Sequence, residues 1–462
     1  MIFSLHTKTI LSSSVVGGKA RALIELTNAG FPIPEGWVLP VEFFSSWLQT
    51  ILSSSLWKHT INNLSIENCQ RIISNASNLN FTSSMCQELC NLSLHMENSR
   101  FAIRSSSPEE DLANKSFAGM YSTFLGISYA EIEKYVAKTF ASVFDYRVLS
   151  YKKKIGISIH NPQIAVIIQK QISSETSGIG FSINLHTNCY DETLINASFG
   201  LGETVVSGKV TPDEYVVNSF SNQILLKKIG DKKEGLYLHP NGKTALRTCD
   251  KNSQNSLTDH QIKEVACWIK KCEQFFNFPV DIEWTYSQNV FYLLQCRPIT
   301  SYFPLYPEFI TNIGERKELY FDIIKASQGF ETSMSTLGCE LFADLINIAK
   351  QGFMPVGKNG LVYHAHGRMV MQLGNTAKVY GKKRVPAILG AMNMQSAKMV
   401  SKLPLSKYMP SKKPSCMKSL IQLSWMLIKK GFIPFIRFKF FFQQSLQEFF
   451  DFKNKLLLLS RR

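Results

Sequence analysis

The chain has 462 residues, of which 45% are hydrophobic and 19% charged, so it can hold two or three folded domains and wholesale disorder is excluded. The net charge of +16 is uneven, because residues 401–462 contain 13 Lys and Arg against two acidic residues. No apolar run reaches the roughly 18–20 residues of a membrane span, and the N-terminus lacks signal-peptide features. Ten Cys without C-x-x-C pairs favour reduced thiols, which predicts a cytoplasmic location.

The first 100 residues predict a helix-rich start to the chain. A Gly-containing turn at residues 15–19 (VVGGK) precedes a helix with an apolar stripe, and Asn28-Ala29-Gly30 ends that helix. A short strand follows at residues 36–39, and residues 41–98 are predicted to be mostly helical.

From residue 101 the pattern changes to strands. We expect strands at residues 101–104, 164–168, 178–183, 214–218 and 290–295, with helices at residues 129–151 and 259–276. Pro304-Leu305-Tyr306-Pro307 predicts a domain boundary. The chain beyond it reads as apolar helices, a Lys/Pro/Ser-rich linker at residues 402–418 and a basic, apolar helical segment at residues 419–462.

The first chemical signal lies in residues 101–126 (FAIRSSSPEEDLANKSFAGMYSTFLG). Arg104 ends an apolar strand and precedes three serines, a position from which Arg can bind phosphate oxygens bidentately. The alternative is a salt bridge from Arg104 to Glu110 or Asp111. Gly119 and Thr123 lie at the following turn, where backbone N–H groups and a hydroxyl can bind the β- and γ-phosphates of a nucleotide.

The second signal lies in residues 281–300 (DIEWTYSQNVFYLLQCRPIT). Glu283 alternates with apolar neighbours on one strand and so shares a face with Asp281. Gln295 and Arg297 share a face of the next strand. Glu283 and Gln295 together offer an oxygen pair for Mg²⁺, and Arg297 can neutralise a transferred phosphoryl group. The alternative is a solvent-facing cross-strand ion pair between Glu283 and Arg297.

Weaker signals come from isolated residues. Lys19 follows two glycines at a helix start, which favours an anion, but a surface lysine is the alternative. Gln169 ends a strand and can contact adenine or ribose. Residues 197–203 (ASFGLGE) can cover a nucleotide base or form a hairpin. His364 and His366 can bind a metal or carry a phosphoryl group, and a structural role is the alternative.

Five blocks in this order resemble the N-terminal ATP-binding domain of phosphoenolpyruvate synthases and pyruvate phosphate dikinases. They are VGGK with AGFPIPEG, IRSS with EDL and SFAG, FGLGE with PDE, DIEW, and QCRP. The resemblance implies an α+β fold, with an ATP-grasp nucleotide-binding domain over residues 1–303 and with ATP and Mg²⁺ as cofactors. It also implies that Arg104 and Arg297 are catalytic and that Glu283 and Gln295 bind the metal. The residues that it implies contact ATP or its Mg²⁺ are Lys19, Arg104, Gly119, Thr123, Gln169, Glu283, Gln295 and Arg297.

Residues 304–462 are similar instead to the second domain of rifampicin phosphotransferase-like proteins, through residues 319–342 and 367–373. That similarity implies a mainly α-helical, partial domain that binds an unknown small-molecule acceptor. In the family the phosphoryl group passes through a histidine in a Thr-Ser-His context, which this sequence lacks.

We therefore expect a phosphotransferase module that cleaves ATP to AMP and phosphate. Three explanations of the missing histidine stay open: the chain is a fragment, it is half of a split enzyme in which a separate chain carries the phosphohistidine domain, or it is a truncated relative that binds ATP without completing the reaction. The alternative is a non-catalytic ATP-binding protein whose basic tail contacts a partner or a membrane surface. No nucleic-acid partner is expected.

Overall fold

The computed structural model describes residues 1–90, 99–109, 121–239, 242–249, 253–300, 302–303, 305–312, 315–326, 335, 337–339, 360–365 and 368–411. The chain divides into two compact units, Met1–Phe303 and Pro304–Arg462. Gly119 and the basic segment at residues 419–462 lie outside the described residues.

The first unit begins with a five-stranded antiparallel sheet in the order β1-β2-β5-β3-β4. One face packs against short helices and buries a large aromatic cluster that includes Phe44, Trp47 and Phe140. The opposite face contributes Val38 and Ile167 to a second core. The strands are β1 (Phe3–Ser4), β2 (Gly36–Leu39), β3 (Arg100–Ser106), β4 (Thr123–Ser128) and β5 (Ala165–Lys170). The helices are α1 (Ser13–Asn28), α2 (Ser45–Ser53), α3 (Ser55–Asn62), α4 (Ile66–Ser77), α5 (Ser83–Cys90), α6 (Ile132–Ala141) and α7 (Tyr146–Lys154).

The unit continues with a six-stranded antiparallel sheet in the order β13-β12-β6-β7-β8-β9. Helix α9 packs on one face of this sheet through its apolar stripe. The elements are β6 (Thr176–Phe181), β7 (Glu192–Phe199), α8 (Glu203–Val206), β8 (Asp213–Asn218), β9 (Ile224–Lys228), α9 (Asp259–Phe276), β12 (Val280–Ser287) and β13 (Val290–Pro298).

A separate hairpin, β10 (Glu234–Leu238) with β11 (Thr244–Thr248), touches both parts of the first unit. Its Leu236 carbonyl accepts a hydrogen bond from Leu201 N (2.7 Å) beyond the end of β7, and its Lys243 N donates to the Gly126 carbonyl of β4 (3.0 Å). The hairpin therefore connects the second sheet to the first.

The sequence predicted α9 with the same ends that the structure has. Thr258 caps it reciprocally with Gln261, and Asn277 ends it in the left-handed conformation (φ 58°). The single helix predicted at residues 129–151 is wrong, because the chain is extended at Asp145, where the side chain accepts a hydrogen bond from Arg147 N (2.8 Å) and starts α7.

The described part of the second unit contains a three-stranded antiparallel sheet in the order β14-β16-β15. The sequence analysis predicted only apolar helices in this region and missed the sheet. Its methionine-rich strand β16 packs against the helices that follow. The elements are β14 (Tyr320–Asp322), α10 (Ile323–Ala326), β15 (Val362–Ala365), β16 (Arg368–Gln372), α11 (Leu373–Tyr380), α12 (Val385–Gly390) and α13 (Met394–Ser401). Within the described residues of the chain, no helix is both long and apolar enough to cross a membrane.

Candidate nucleotide site

Polar side chains line one face of β12 and β13, opposite the face that packs on α9. Ile282 and Trp284 are fully buried in the core with α9, so the alternating residues Asp281 and Glu283 lie on the other face. Asp281 pairs in register with Arg297, and Glu283 pairs with Gln295, immediately before a bulge in the ladder. The structure therefore places the four polar groups predicted from residues 281–300 on one surface.

Two ion pairs organise this surface. The Arg297 Nε atom donates to both Asp281 oxygens at 2.7 and 2.9 Å. The Arg104 guanidinium on β3, in the other sheet, lies 3.3 Å from Glu283 Oε2. The predicted alternative of a Glu283–Arg297 pair is therefore wrong, since each residue pairs with a different partner. Residues 104 and 283, which are 179 positions apart, meet where the two sheets face each other, and we refer to this place as the cleft.

Arg104 has an unused donor in this cleft. The residue is only 9% exposed, and its Nε atom is buried without a hydrogen-bond partner. A buried donor left unpaired is unfavourable, and a guanidinium donor suits an anionic oxygen. The observation fits a phosphate group at this position.

The carboxyl group of Asp281 has a raised pKa. Burial raises its pKa to about 6, an effect that the charge and hydrogen bond of Arg297 oppose and that the charge of Glu283 reinforces. Groups that are shifted in this way by burial and by specific charged neighbours cluster at functional sites.

Thr123 and Gln169 lie on the strands that flank Arg104. Thr123 on β4 is exposed and lies opposite Arg104 on the neighbouring strand β3. Gln169 pairs with Ala102, which is two residues from Arg104 and so shares its face. The Gln169 side chain is 1% exposed, and its Nε2 donates to the Pro34 carbonyl at 3.5 Å.

Lys19 is held beside the end of β3. Gly17 interrupts α1 with φ 76° and ψ 165°, a backbone region that is essentially restricted to glycine. Beyond this break, Gly18 N donates to the Ser107 carbonyl (3.1 Å) and Ala20 N donates to Ser106 Oγ (3.0 Å). Ser106 and Ser107, the second and third of the three serines that follow Arg104, therefore fix the backbone on either side of Lys19.

In the Gly-rich segment, residues 197–199 are the end of β7 and residues 200–202 lead to α8. The alternative of a simple hairpin is therefore not what forms, because residues 200–212, which include α8, join β7 to its antiparallel neighbour β8. Gly200 has φ 79°, and a side chain there would lie 2.4 Å from the Leu236 carbonyl oxygen. The structure thus assigns this glycine to close packing on the β10–β11 hairpin.

Glu283 and Gln295 fit the demands of Mg²⁺, which proteins commonly bind through one or two carboxylates together with substrate phosphates. Among the described residues there is no cluster of three or more His, Cys, Asp and Glu arranged to hold a metal by itself. The side chains of His364 and His366 lie outside the described residues.

Asp213 is a residue whose role the sequence did not reveal. It lies in the PDE block, but the structure buries it completely with Lys232, whose Nζ contacts Asp213 Oδ1. Gly230 N donates to the same oxygen (2.8 Å), and Ser256 donates to Oδ2 through both N and Oγ (2.7 Å each). Burial raises the pKa of Asp213, but these hydrogen bonds outweigh it and hold the pKa below its usual value. No regular spacing connects residues 213, 232 and 256, so this network could not be predicted from the sequence.

Comparison with known proteins identifies the family of the first unit. Residues 13–303 match the model of the pyruvate phosphate dikinase AMP/ATP-binding domain, which is of the ATP-grasp type. This match and the mixed helices and sheets confirm the α+β prediction for the first unit.

Several curated proteins are similar to this chain. An uncharacterized phosphotransferase of Bacillus subtilis is 37% identical over 296 residues, which cover 63% of this chain and 34% of that protein. A probable phosphoenolpyruvate synthase of Methanocaldococcus jannaschii is 32% identical, covering 62% of this chain and 26% of the relative. The rifampicin phosphotransferase of Bacillus subtilis is 32% identical, covering 66% and 36%. The chain therefore spans well under half the length of each of these relatives. By the family match, which covers more than half of its residues, this chain belongs to the pyruvate phosphate dikinase AMP/ATP-binding domain family.

Proposed function

We propose that the first unit binds ATP with Mg²⁺ in the cleft between its two sheets and begins a phosphotransferase reaction of the phosphoenolpyruvate synthase type. The observation that carries the proposal is the meeting of Arg104 and Glu283 across the cleft, with the Arg104 Nε buried and unpaired. A guanidinium beside a carboxylate offers both a phosphate ligand and a metal ligand at one point.

The roles of the individual residues follow from their positions. Arg104 and Arg297 would bind phosphate oxygens, since both guanidinium groups lie at the cleft. Lys19 would bind them as well, since its backbone is held beside the end of β3. Glu283 and Gln295 would hold Mg²⁺, which when bound neutralises charge on the phosphates. Thr123 and Gly119 would bind the phosphates through a hydroxyl and a backbone N–H, and Gln169 would contact the adenine or the ribose.

We further propose that ATP is cleaved to AMP and phosphate: the β-phosphoryl group passes to a histidine outside these 462 residues, on its way to an unidentified small-molecule acceptor, and the γ-phosphoryl group passes to water and leaves as phosphate. The names of the relatives, which include phosphoenolpyruvate synthases and rifampicin phosphotransferases, support this class of reaction. Cys69, Cys86, Cys249, Cys267, Cys272 and Cys339 are free thiols, which supports the proposed cytoplasmic location.

Calorimetry with Mg·ATP tests the site assignment. We expect the intact protein to bind Mg·ATP and Arg297→Ala to bind it at least about tenfold more weakly, because a charge-assisted contact to phosphate is lost. Arg147→Ala is the matched control, since Arg147 also pairs with an aspartate in the first unit but its side chain is 69% exposed. Unchanged affinity in Arg297→Ala, or no binding by the intact protein, would refute the assignment.

The metal assignment has its own test. Glu283→Gln removes the carboxylate but keeps the shape of the side chain, so we expect the dependence of ATP affinity on Mg²⁺ concentration to weaken strongly. If the variant follows the same Mg²⁺ titration curve as the unaltered protein, Glu283 does not bind the metal.

A further inference from the structure

Lys152 is a fully buried lysine near the end of α7, and lysine is almost never fully buried unless it is paired. Its Nζ atom forms an ion pair with Glu109, whose side chain is 21% exposed. In the described part of the chain, Glu109 is the only charged partner of Lys152. The buried cation therefore depends on this single carboxylate.

Glu109 is joined in turn to the segment that follows β3. Ser107 Oγ donates to Glu109 Oε2 at 3.3 Å, and Glu109 N donates back to Ser107 Oγ at 3.4 Å. Ser107 is 0% exposed. The carboxylate that neutralises Lys152 thus also fixes the conformation of residues 107–109.

The same segment holds both phosphate-binding elements of the proposed site. Arg104 lies three residues before Ser107 on the same stretch of chain, and the Ser107 carbonyl accepts the hydrogen bond from Gly18 N, next to Lys19. A continuous set of contacts therefore runs from Lys152 through Glu109 and Ser107 to the backbone beside Lys19.

We propose that Lys152 is a positioning residue for the triphosphate end of the site, acting through Glu109 and Ser107 on Lys19 and Arg104. The inference rests on the proposed function, because it assumes that these two cations bind phosphate. Lys152 lies on α7, whose Leu149 packs in the core on the helical face of the first sheet, so we assign it no direct contact with the nucleotide. Its loss should therefore weaken contacts to the β- and γ-phosphates and leave those to the nucleoside in place.

Calorimetry with two nucleotides tests this role. For Lys152→Met we expect the dissociation constant for Mg·ATP to rise about tenfold, the size of effect typical of a residue that acts through others, and that for AMP to rise much less. Lys153→Met is the matched control, because Lys153 is the next residue on α7 and is exposed. Equal weakening of ATP and AMP, or an ATP affinity equal to that of the control, would overturn the proposal.

A double variant separates positioning from simple stability. Glu109→Met with Lys152→Met removes both charges, so the thermal unfolding midpoint should recover relative to Lys152→Met alone. If Lys152 positions the site, the double variant still binds ATP weakly while AMP binding is retained. If the double variant recovers full ATP affinity together with its stability, Lys152 only neutralises Glu109 and the inference is wrong. A failure of the proposed function would look different, since the unaltered protein would then bind no Mg·ATP.

Discussion

Gly17 allows the sharpest test of how the fold builds the phosphate end of the site. A Cβ atom at this position would lie 2.1 Å from the Ser106 carbonyl oxygen and 2.3 Å from Ser106 Oγ, and the residue has φ 76°. Real Cβ atoms essentially never approach other atoms so closely, so Gly17→Ala must displace either the start of α1 or the end of β3.

The cost has two parts. Holding alanine in a conformation that L-residues avoid costs about 1–3 kcal/mol, and overpacking a site with no free space costs about 1–3 kcal/mol more. We therefore expect Gly17→Ala to lower the free energy of unfolding by about 2–6 kcal/mol. Because the hydrogen bond from Gly18 N to Ser107 would be disturbed as well, ATP affinity should fall together with stability.

Gly30→Ala is the matched control, since Gly30 lies just beyond the end of α1 with φ 82° and nothing within 4 Å of an added Cβ. It should show only a conformational cost of about 1–2 kcal/mol and unchanged ATP affinity. Urea unfolding followed by fluorescence, with calorimetry for ATP, measures both effects. Equal destabilisation by the two substitutions would refute the argument from the Ser106 contact.

Three further predictions concern buried groups away from the cleft. Lys232→Met should lower the free energy of unfolding by about 3–5 kcal/mol in urea at pH 7, because it leaves the buried Asp213 carboxylate without its cation; a loss below about 1 kcal/mol would contradict this. Since the folded-state pKa of Asp213 lies below its usual value, its contribution to stability is present above about pH 4 and is lost as the pH falls. In Asp213→Asn, the free energy of unfolding should therefore fall less steeply as the pH drops below about 4. An unchanged pH dependence in this variant would argue against the contribution of Asp213. Burial raises the pKa of Cys69 to about 11, so iodoacetamide at pH 8 should label the exposed Cys267 first in peptide mass spectra, and early labelling of Cys69 would count against the described core.

The sequence predicted the elements whose signals are local. Helix α9 has an apolar stripe, a capping box and a residue that tolerates a left-handed turn, and each of these is readable from nearby residues. The break at Asp145 was missed because the apolar pattern of residues 129–151 continues through it. The small sheet of the second unit was missed because its strands are only three to five residues long, too short for a reliable alternation signal.

The site was predictable to the extent that strand alternation determines which side chains share a face. Asp281, Glu283, Gln295 and Arg297 were placed correctly on one surface for that reason. Their ion-pair partners were not predictable, because the partner of Glu283 comes from a different sheet 179 residues earlier. Long-range contacts of this kind depend on how the two sheets pack, and that packing cannot be predicted from a local sequence pattern.

The ion pair between Arg104 and Glu283 explains how the proposed site can keep its charges paired when no nucleotide is bound. Arg104 and Glu283 have side-chain exposures of 11% and 22%, so each would lie largely desolvated and uncompensated if the other were absent. Their contact of 3.3 Å pairs the two charged groups and holds both side chains in place. Binding of Mg·ATP would exchange this one pair for two matched contacts, phosphate on Arg104 and metal on Glu283, so no charge is left unpaired before or after binding. If Glu283 binds the metal as we propose, the site should favour the metal complex over free ATP, since free ATP would satisfy Arg104 but leave Glu283 facing an anion.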